Sequence, residues 1–258
     1  MTDLDPLLVE ALGADLRSAG YTTDGVAELL GDDANAALGR GVWWPALRAT
    51  SGGGRLGTLV RLFLLGTDEP ADRVQGAFPS TGLAELSAAG VLEVGDTVRA
   101  ALDIRPHSDG ERDFYVVSDQ DAALRGGPVE HEHVLGIGGA SMSLARAVIR
   151  TPVQRALDLG TGCGIQALHL NGHCADIVAT DTNPRALMLA QATAGINGMS
   201  WDLRPGSLFD PVAGERFDLI VSNPPFVVAR EPATTSTAIR AWPGTGCAAP
   251  SSRTSAIT

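Results

Sequence analysis

Lysine is missing from this 258-residue chain, and all 19 of its Lys-or-Arg positions are arginine. Together with abundant alanine and 31 glycines, that bias points to a GC-rich coding sequence rather than to a nucleic-acid surface. Cysteine is scarce. Cys163, Cys174 and Cys247 lack metal-ligand spacing and cannot build a disulfide framework, so the two that flank apolar strands read as small buried thiols. No run of 18 apolar residues occurs, which excludes an ordinary transmembrane helix. The start, Met1-Thr2-Asp3-Leu4-Asp5, is acidic and lacks the basic region of a signal peptide, so the expected location is the cytoplasm. Positive charge is also thin where it would be needed to hold phosphates. Residues 1–128 hold 20 acidic side chains against 10 arginines, net −10, whereas residues 129–258 sit near neutral at −1.

An apolar content of 44% over this length is enough for one large or two modest soluble domains. Residues 4–20 carry helical apolar spacing that stops at Gly20, and 24–30 predicts a second helix. The run 56–65 predicts an apolar helix, 69–76 a short one, and 80–89 another with Ser80 as its N-cap. Residues 91–94 and 98–104, split by Gly95-Asp96, read as a hairpin, with 114–117 a further strand. Helices followed by a small hairpin describe a winged-helix-like α+β domain over residues 1–120. Its acidic balance favours a helper that packs on a catalytic domain or meets a protein substrate over one that grips DNA.

A polar link over 119–133 marks the expected boundary. Its His131-Glu132-His133 reads as solvated loop rather than metal site, because two histidines two residues apart have no third ligand nearby; no metal is expected. After Gly138-Gly139-Ala140, Ser141 predicts a capped helix to about Arg150. The chain then alternates: strand 155–159, helix 165–170, strand 176–180, helix 184–197 with Pro184 in its first turn, a weak strand 201–204, and a strong strand 217–221. That order predicts an α/β fold, a Rossmann-like doubly wound parallel sheet of about four strands, with ligands at the carboxyl ends.

Two motifs sit at such ends. Asp158-Leu159-Gly160-Thr161-Gly162-Cys163-Gly164 is a glycine turn between strand and helix, where backbone can approach a ligand closely. Its spacing differs from the Gly-x-Gly-x-x-Gly of nicotinamide and flavin sites and is that of S-adenosylmethionine enzymes. The small Thr161 and Cys163 keep the turn open. Asp181, followed by Thr182, ends the next strand 23 residues after Asp158, a spacing at which a carboxylate can accept both hydrogens of a ribose diol. The second motif is Asn223-Pro224-Pro225-Phe226. Its prolines fix the backbone and remove N–H donors, leaving carbonyl acceptors. The Asn223 side-chain oxygen plus a proline carbonyl can take both hydrogens of one planar NH2 group, and Phe226 can stack on a flat acceptor. The chemistry expected is N-methylation driven by positioning, with no obligatory base.

Residues 157–170, 179–190 and 217–226 resemble the release-factor glutamine N5-methyltransferases and the wider small-domain methyltransferases with an Asn-Pro-Pro-aromatic motif. The resemblance covers roughly 131–228, while 1–120 differs from that family's helical bundle. It implies S-adenosylmethionine as cofactor. Gly160, Thr161, Gly162 and Gly164 would line its methionine end, with Asp158 and Cys163 in the same turn, and Asp181 and Thr182 would lie at the ribose. Ser207 and Leu208 would fall beside the adenine, where relatives often carry Asp before the apolar residue; Gly138-Gly139-Ala140 would lie near the donor. The implied acceptor is a protein glutamine in a release-factor-like partner, with an exocyclic amine of an RNA or DNA base as the alternative and a non-catalytic remnant as the second. No membrane partner is expected.

A sheet of this family has seven strands, and 217–221 would be its fourth, so the methyltransferase part reads as C-terminally truncated. Residues 229–258, rich in Ala, Thr, Ser and Pro without apolar period, read as a disordered tail. A one-base shift of GC-rich codons for 237–258 can encode a turn followed by an apolar helical run, so the tail is expected to be out of frame and catalysis in this chain to be weak or absent. Sequencing the gene around codon 229 checks this. A disrupted downstream frame is the expected result, and an intact frame through codon 258 with none disrupted beyond it overturns the idea.

Overall fold

In the computed structural model, residues 5–121, 124 and 132–224 are described. Pro6 opens α1 (Pro6–Ser18), where its missing N–H costs nothing, and the Asp5 carboxylate accepts from Leu7 N at 2.9 Å. Thr22 caps α2 (Thr23–Leu38) by accepting from Gly25 N. Sequence predicts a helix ending at Leu30. The structure instead breaks at Gly31 (φ 69°, ψ 166°) and resumes to Leu38, a break that glycine alone makes cheap. A short α3 (Trp44–Ala49), not foreseen from periodicity, follows. The 56–65 helix is α4 (Gly54–Leu59), running into a π-turn at Val60–Leu64. Next come α5 (Ala71–Ala77) and α6 (Leu83–Ala88).

Ser80 does not cap α6; Gly82 holds that position. The N–H groups of Ser80 and Thr81 and the Thr81 hydroxyl all donate to the buried Asp15 carboxylate of α1, at 2.7–3.2 Å. A buried anion surrounded by donors fixes the α5–α6 turn on α1.

The hairpin β1 (Leu92–Val94) and β2 (Val98–Ala100) is antiparallel, as the Gly95-Asp96 pair predicts. The stretch 98–104 is not one strand. A new strand, β3 (Leu102–Ser108), pairs with β4 (Asp113–Asp119) in a separate two-stranded sheet. The Tyr21 hydroxyl donates to Ile104 O at 2.8 Å from a fully buried position and its ring stacks on Tyr115, joining α1–α2 to this sheet.

The second half contains α7 (Gly139–Ala147), β5 (Val153–Leu159), α8 (Ile165–Leu170), β6 (Cys174–Asp181), α9 (Pro184–Ile196), β7 (Asp202–Pro205) and β8 (Leu219–Ser222). Gly138 caps α7, and Ser141 sits three residues in, its hydroxyl accepting from Gly138 N. The four strands form a parallel sheet in the order β7-β6-β5-β8. Steps from β5 to β6 to β7 run in one direction, which puts α8 and α9 on the same face. Ala156, Ile177 and Val221 meet them there in a core shared with the N-terminal helices. The connection to β8 doubles back past β5, and its 3-10 turn at Asp210–Val212 and Phe217 cover Leu157, Leu159 and Val178 on the opposite face. The reversal between β5 and β8 is a topological switch point, where a crevice opens at the strand ends.

Residues up to Asn223 pack as one unit. The free edge of β4 is satisfied from α9. Asn197 accepts from Tyr115 N at 2.8 Å and donates to Tyr115 O at 2.7 Å, and Thr193 Oγ1 accepts from Val117 N at 3.0 Å. Two side chains thus stand in for a neighbouring strand. Close approach of α1 to α9 depends on Gly13, where a Cβ would lie 2.8 Å from Ile196 O.

Removing the Asp15 carboxylate strands the two buried Thr81 donors and frees the part-buried Ser80 N–H, so Asp15→Ala is expected to destabilise the protein by about 3 kcal/mol. Urea unfolding checks this; a loss within experimental error contradicts it.

Candidate functional site

At the carboxyl end of β5 the chain turns through Gly160 (φ 74°), Gly162 (φ 57°) and Gly164 (φ 84°), all left-handed. Their reasons differ. A Cβ at Gly164 would lie 2.6 Å from the Trp201 ring, so this glycine lets the turn lie against the start of β7. Cβ atoms at Gly160 and Gly162 would meet nothing within 4 Å. Those two leave an open cradle that a ligand can enter.

Neighbours fix the turn's amides. Gly160 N and Thr161 N both donate to Thr180 O, at 2.8 and 2.9 Å, and Gly162 N donates to Asp181 Oδ2 at 2.9 Å. Asp181 Oδ1 accepts from Asn183 N at 2.9 Å, while Gly206 N donates to Asp181 O at 3.0 Å. The half-buried Asp181 carboxylate is thereby anchored beside the glycine turn, with lone pairs remaining for further donors. Thr182 is exposed next to it.

Asp158 is fully buried beneath the turn. Its Oδ2 accepts from Thr161 Oγ1 at 2.6 Å and from Ala167 N at 3.1 Å, tying the turn to the first residues of α8. Burial pushes its pKa up to about 6; the bonds from Thr161 and Ala167 oppose this, and the Asp181 charge adds to it. Thr161 and Cys163 keep the turn open in a particular way: their side chains are buried in the body of the protein. Burial pushes the Cys163 thiol up to about 12, so it stays protonated and inert.

The second motif begins one strand away. β5 and β8 run parallel with Leu159 opposite Ser222, and the Ser222 hydroxyl donates to Leu159 O at 2.8 Å. This bond spans 63 residues and fastens the carboxyl tips of the two strands together. Asn223, half-buried, follows immediately; Pro224 is exposed. Pro225 and Phe226 lie outside the described residues, as do His131 and residues 229–258. Ser207 and Leu208 are exposed after β7, Leu208 with a positive φ of 47°. The α7 end joins the same rim: Gln166 of α8 donates to Ser141 O at 2.8 Å, with Gly138 and Gly139 just before.

Sequence reasoning missed several supporting residues. Ser222 carries no motif signal. Asn183 does, as the residue before a helix-opening proline, and it caps α9 while donating to Asp181. Asp119, at the end of β4, holds Arg185 of α9 through both carboxylate oxygens, the Arg185 Nε lying at 2.8 and 3.0 Å. That pairing joins residues 66 apart and has no local signature. Among the described residues no group of three or more His, Cys, Asp or Glu could hold a metal, and no helix is long and apolar enough to cross a membrane.

Residues 136–241 match the family described as "Methyltransferase small domain". That segment makes up about two fifths of the chain. Residues 18–101 match a "Domain of unknown function (DUF7059)". A release factor glutamine methyltransferase of Deinococcus radiodurans is 40% identical over 93 residues, 35% of this chain and 33% of the relative. Its counterpart from Geobacter sulfurreducens is 43% identical over 84 residues, 31% of this chain and 30% of the relative. A ribosomal protein L11 methyltransferase of Symbiobacterium thermophilum is 45% identical over 76 residues, 28% and 24% of the two chains. The matches span about a third or less of these relatives. Among solved structures, a T. thermophilus 16S rRNA N2 G1207 methyltransferase in complex with AdoMet and guanosine aligns with a TM-score of 0.41 and 20% identity, covering 56% of this chain and 44% of that one.

The raised Asp158 pKa has a consequence for stability. Between its unfolded value of 3.8 and about 6, the folded protein holds a proton that the unfolded chain has released, so this group's contribution falls as pH rises through that window. Buried Asp103, also pushed up to about 6, behaves alike. Asp158→Asn is expected to flatten part of the stability decline between pH 4 and 6, read by urea melts of both proteins. An unchanged slope contradicts the assignment.

Proposed function

We propose that this chain is an S-adenosylmethionine-dependent N-methyltransferase of the small-domain kind, acting on a planar amide or amine nitrogen, with a protein glutamine as the favoured acceptor. The observation that carries this reading is the juxtaposition of the open glycine cradle with Asn223, one strand apart and fastened by Ser222 to Leu159. The residues present fit the donor. Gly160 and Gly162 leave space for its methionine end, Asp181 offers acceptors for its ribose hydroxyls, and Ser207 and Leu208 border the place for its base. Asp158, Thr161 and Cys163 act from beneath, holding the cradle's shape.

The bound donor supplies a methyl group on a positively charged sulfur. The chain's own part is to hold the acceptor. The Asn223 side-chain oxygen would accept a hydrogen of the acceptor's NH2 group, which would orient the nitrogen lone pair towards the methyl and raise its electron density. With the methyl transferred to nitrogen and the sulfur released as a neutral thioether, the proton the nitrogen sheds would pass to solvent, no side chain here being assigned to take it. Positioning supplies the rate, as expected for a reaction without a general base.

Protein is favoured over nucleic acid by the net charge of −10 on residues 1–128, which repels a phosphate backbone. The Deinococcus and Geobacter relatives, named for release factor glutamine, support the same acceptor class. Radiolabelled methyl transfer to separated protein and nucleic-acid fractions, by the protein with its reading frame restored beyond residue 229, tests it. Label in protein is expected; label in RNA or DNA shifts the acceptor to a base amine.

Asn223→Ala is expected to lower transfer by at least about a hundredfold while leaving donor affinity within about twofold, because it removes acceptor orientation only. Calorimetry alongside the transfer assay separates the two. Loss of donor binding in the variant contradicts the roles assigned, and absence of heat from wild type with either S-adenosylmethionine or its demethylated product supports a non-catalytic remnant.

A further inference from the structure

We infer that Asp119, which lies in the first half of the chain on the β3–β4 sheet, is a positioning residue for the donor pocket. It acts through Arg185 to hold the loop that presents Asp181 to the donor's ribose. The inference rests on the proposed donor site and extends it to residues outside the methyltransferase small domain.

The chain of contacts is continuous. Asp119 ends β4 with its carboxylate buried (8% exposed), accepting from Val134 N at 2.8 Å and from the Arg185 guanidinium through Nε and Nη2. A planar fork held by both oxygens fixes direction as well as distance, which a point charge would not. Arg185 is the second residue of α9. Its backbone N–H donates to the Asn183 side chain at 2.9 Å, and Asn183 N donates to Asp181 Oδ1 at 2.9 Å. Asp181 Oδ2 in turn accepts from Gly162 N in the cradle. A second tie runs alongside, from Asn183 Nδ2 to Glu132 O at 2.9 Å, in the segment that carries the chain from β4 towards α7.

Two features show that this is more than an ordinary interdomain ion pair. The loop 181–185 turns directly from β6 into α9, and the caps and bonds just named tie it on both sides, to the 132–134 segment and to the cradle. Asp119 also gathers the loop and the 132–134 segment onto one carboxylate, since Val134 N and Arg185 share it, with His133 Nδ1 3.9 Å from Oδ2. The first half of the chain therefore forms part of the wall that orients the donor carboxylate. Loosening that wall lets Asp181 rotate away from a diol it would otherwise meet pre-organised.

The test is calorimetry of the full chain with two probes, S-adenosylhomocysteine and its 2′,3′-dideoxy analogue. Asp119→Asn is expected to bind S-adenosylhomocysteine about tenfold more weakly than wild type and to bind the dideoxy analogue as wild type does, because the lost interaction needs the hydroxyls. Arg185→Lys, which keeps the charge but not the fork, is expected to show the same ligand dependence with a smaller loss, and it serves where Asp119→Asn fails to fold. Equal weakening for both probes, or none for either, overturns the inference while leaving the donor site standing. Wild type that binds neither probe overturns the donor site and this inference together.

Discussion

The parallel pairing of β5 with β8 is the constraint on which the account depends. Strand order reverses there, and a switch point of this kind opens a crevice at the carboxyl tips of the two strands. Register matters as much as adjacency. With Leu159 opposite Ser222, the first residues past the two strands are Gly160 and Asn223, the residues assigned to donor and acceptor in the proposed site. The Ser222–Leu159 bond fixes the tips at the place where parallel ladders fray. A shift of register by one residue would turn Ser222 to the opposite face and break its bond to Leu159 O.

The two halves identified by composition are not merely adjacent. α9 carries much of the connection: Gly195 and Ile196 receive α1, Thr193 and Asn197 satisfy the edge of β4, and Arg185 meets Asp119. The same helix starts from the loop that holds Asp181. One helix thus links the first half of the chain to the loop that carries the Asp181 carboxylate, and the buried Asp15 and Tyr21 bonds hold that first half together.

Much of the second half was legible in the sequence because parallel strands buried on both faces form short continuous apolar runs, and each is punctuated by glycine, aspartate or proline. Helix 165–170 and the Pro184 start match residue for residue, since the Gly164 and Asn183-Pro184 signals are local. The first half was harder to read. Gly31 interrupts a helix that continues past it, Ser80 gives its amide to Asp15 rather than capping a helix, and 98–104 divides between two sheets at Ala101. Each outcome is decided by a partner distant in sequence. The site divides in the same way. Its glycines and Asp181 were visible as motif, whereas the inward-turned Thr161 and Cys163 and the supporting Ser222, Asp119 and Arg185 emerge only from tertiary contacts.

The central claim, that donor cradle and acceptor turn share one crevice, is open to a direct observation by NMR. Titration of isotope-labelled protein with S-adenosylmethionine should shift the backbone amides of Gly160, Gly162 and Asn223 together, with one shared dissociation constant. Shifts at the glycine turn that leave Asn223 unmoved would place the two motifs in separate environments and contradict the account.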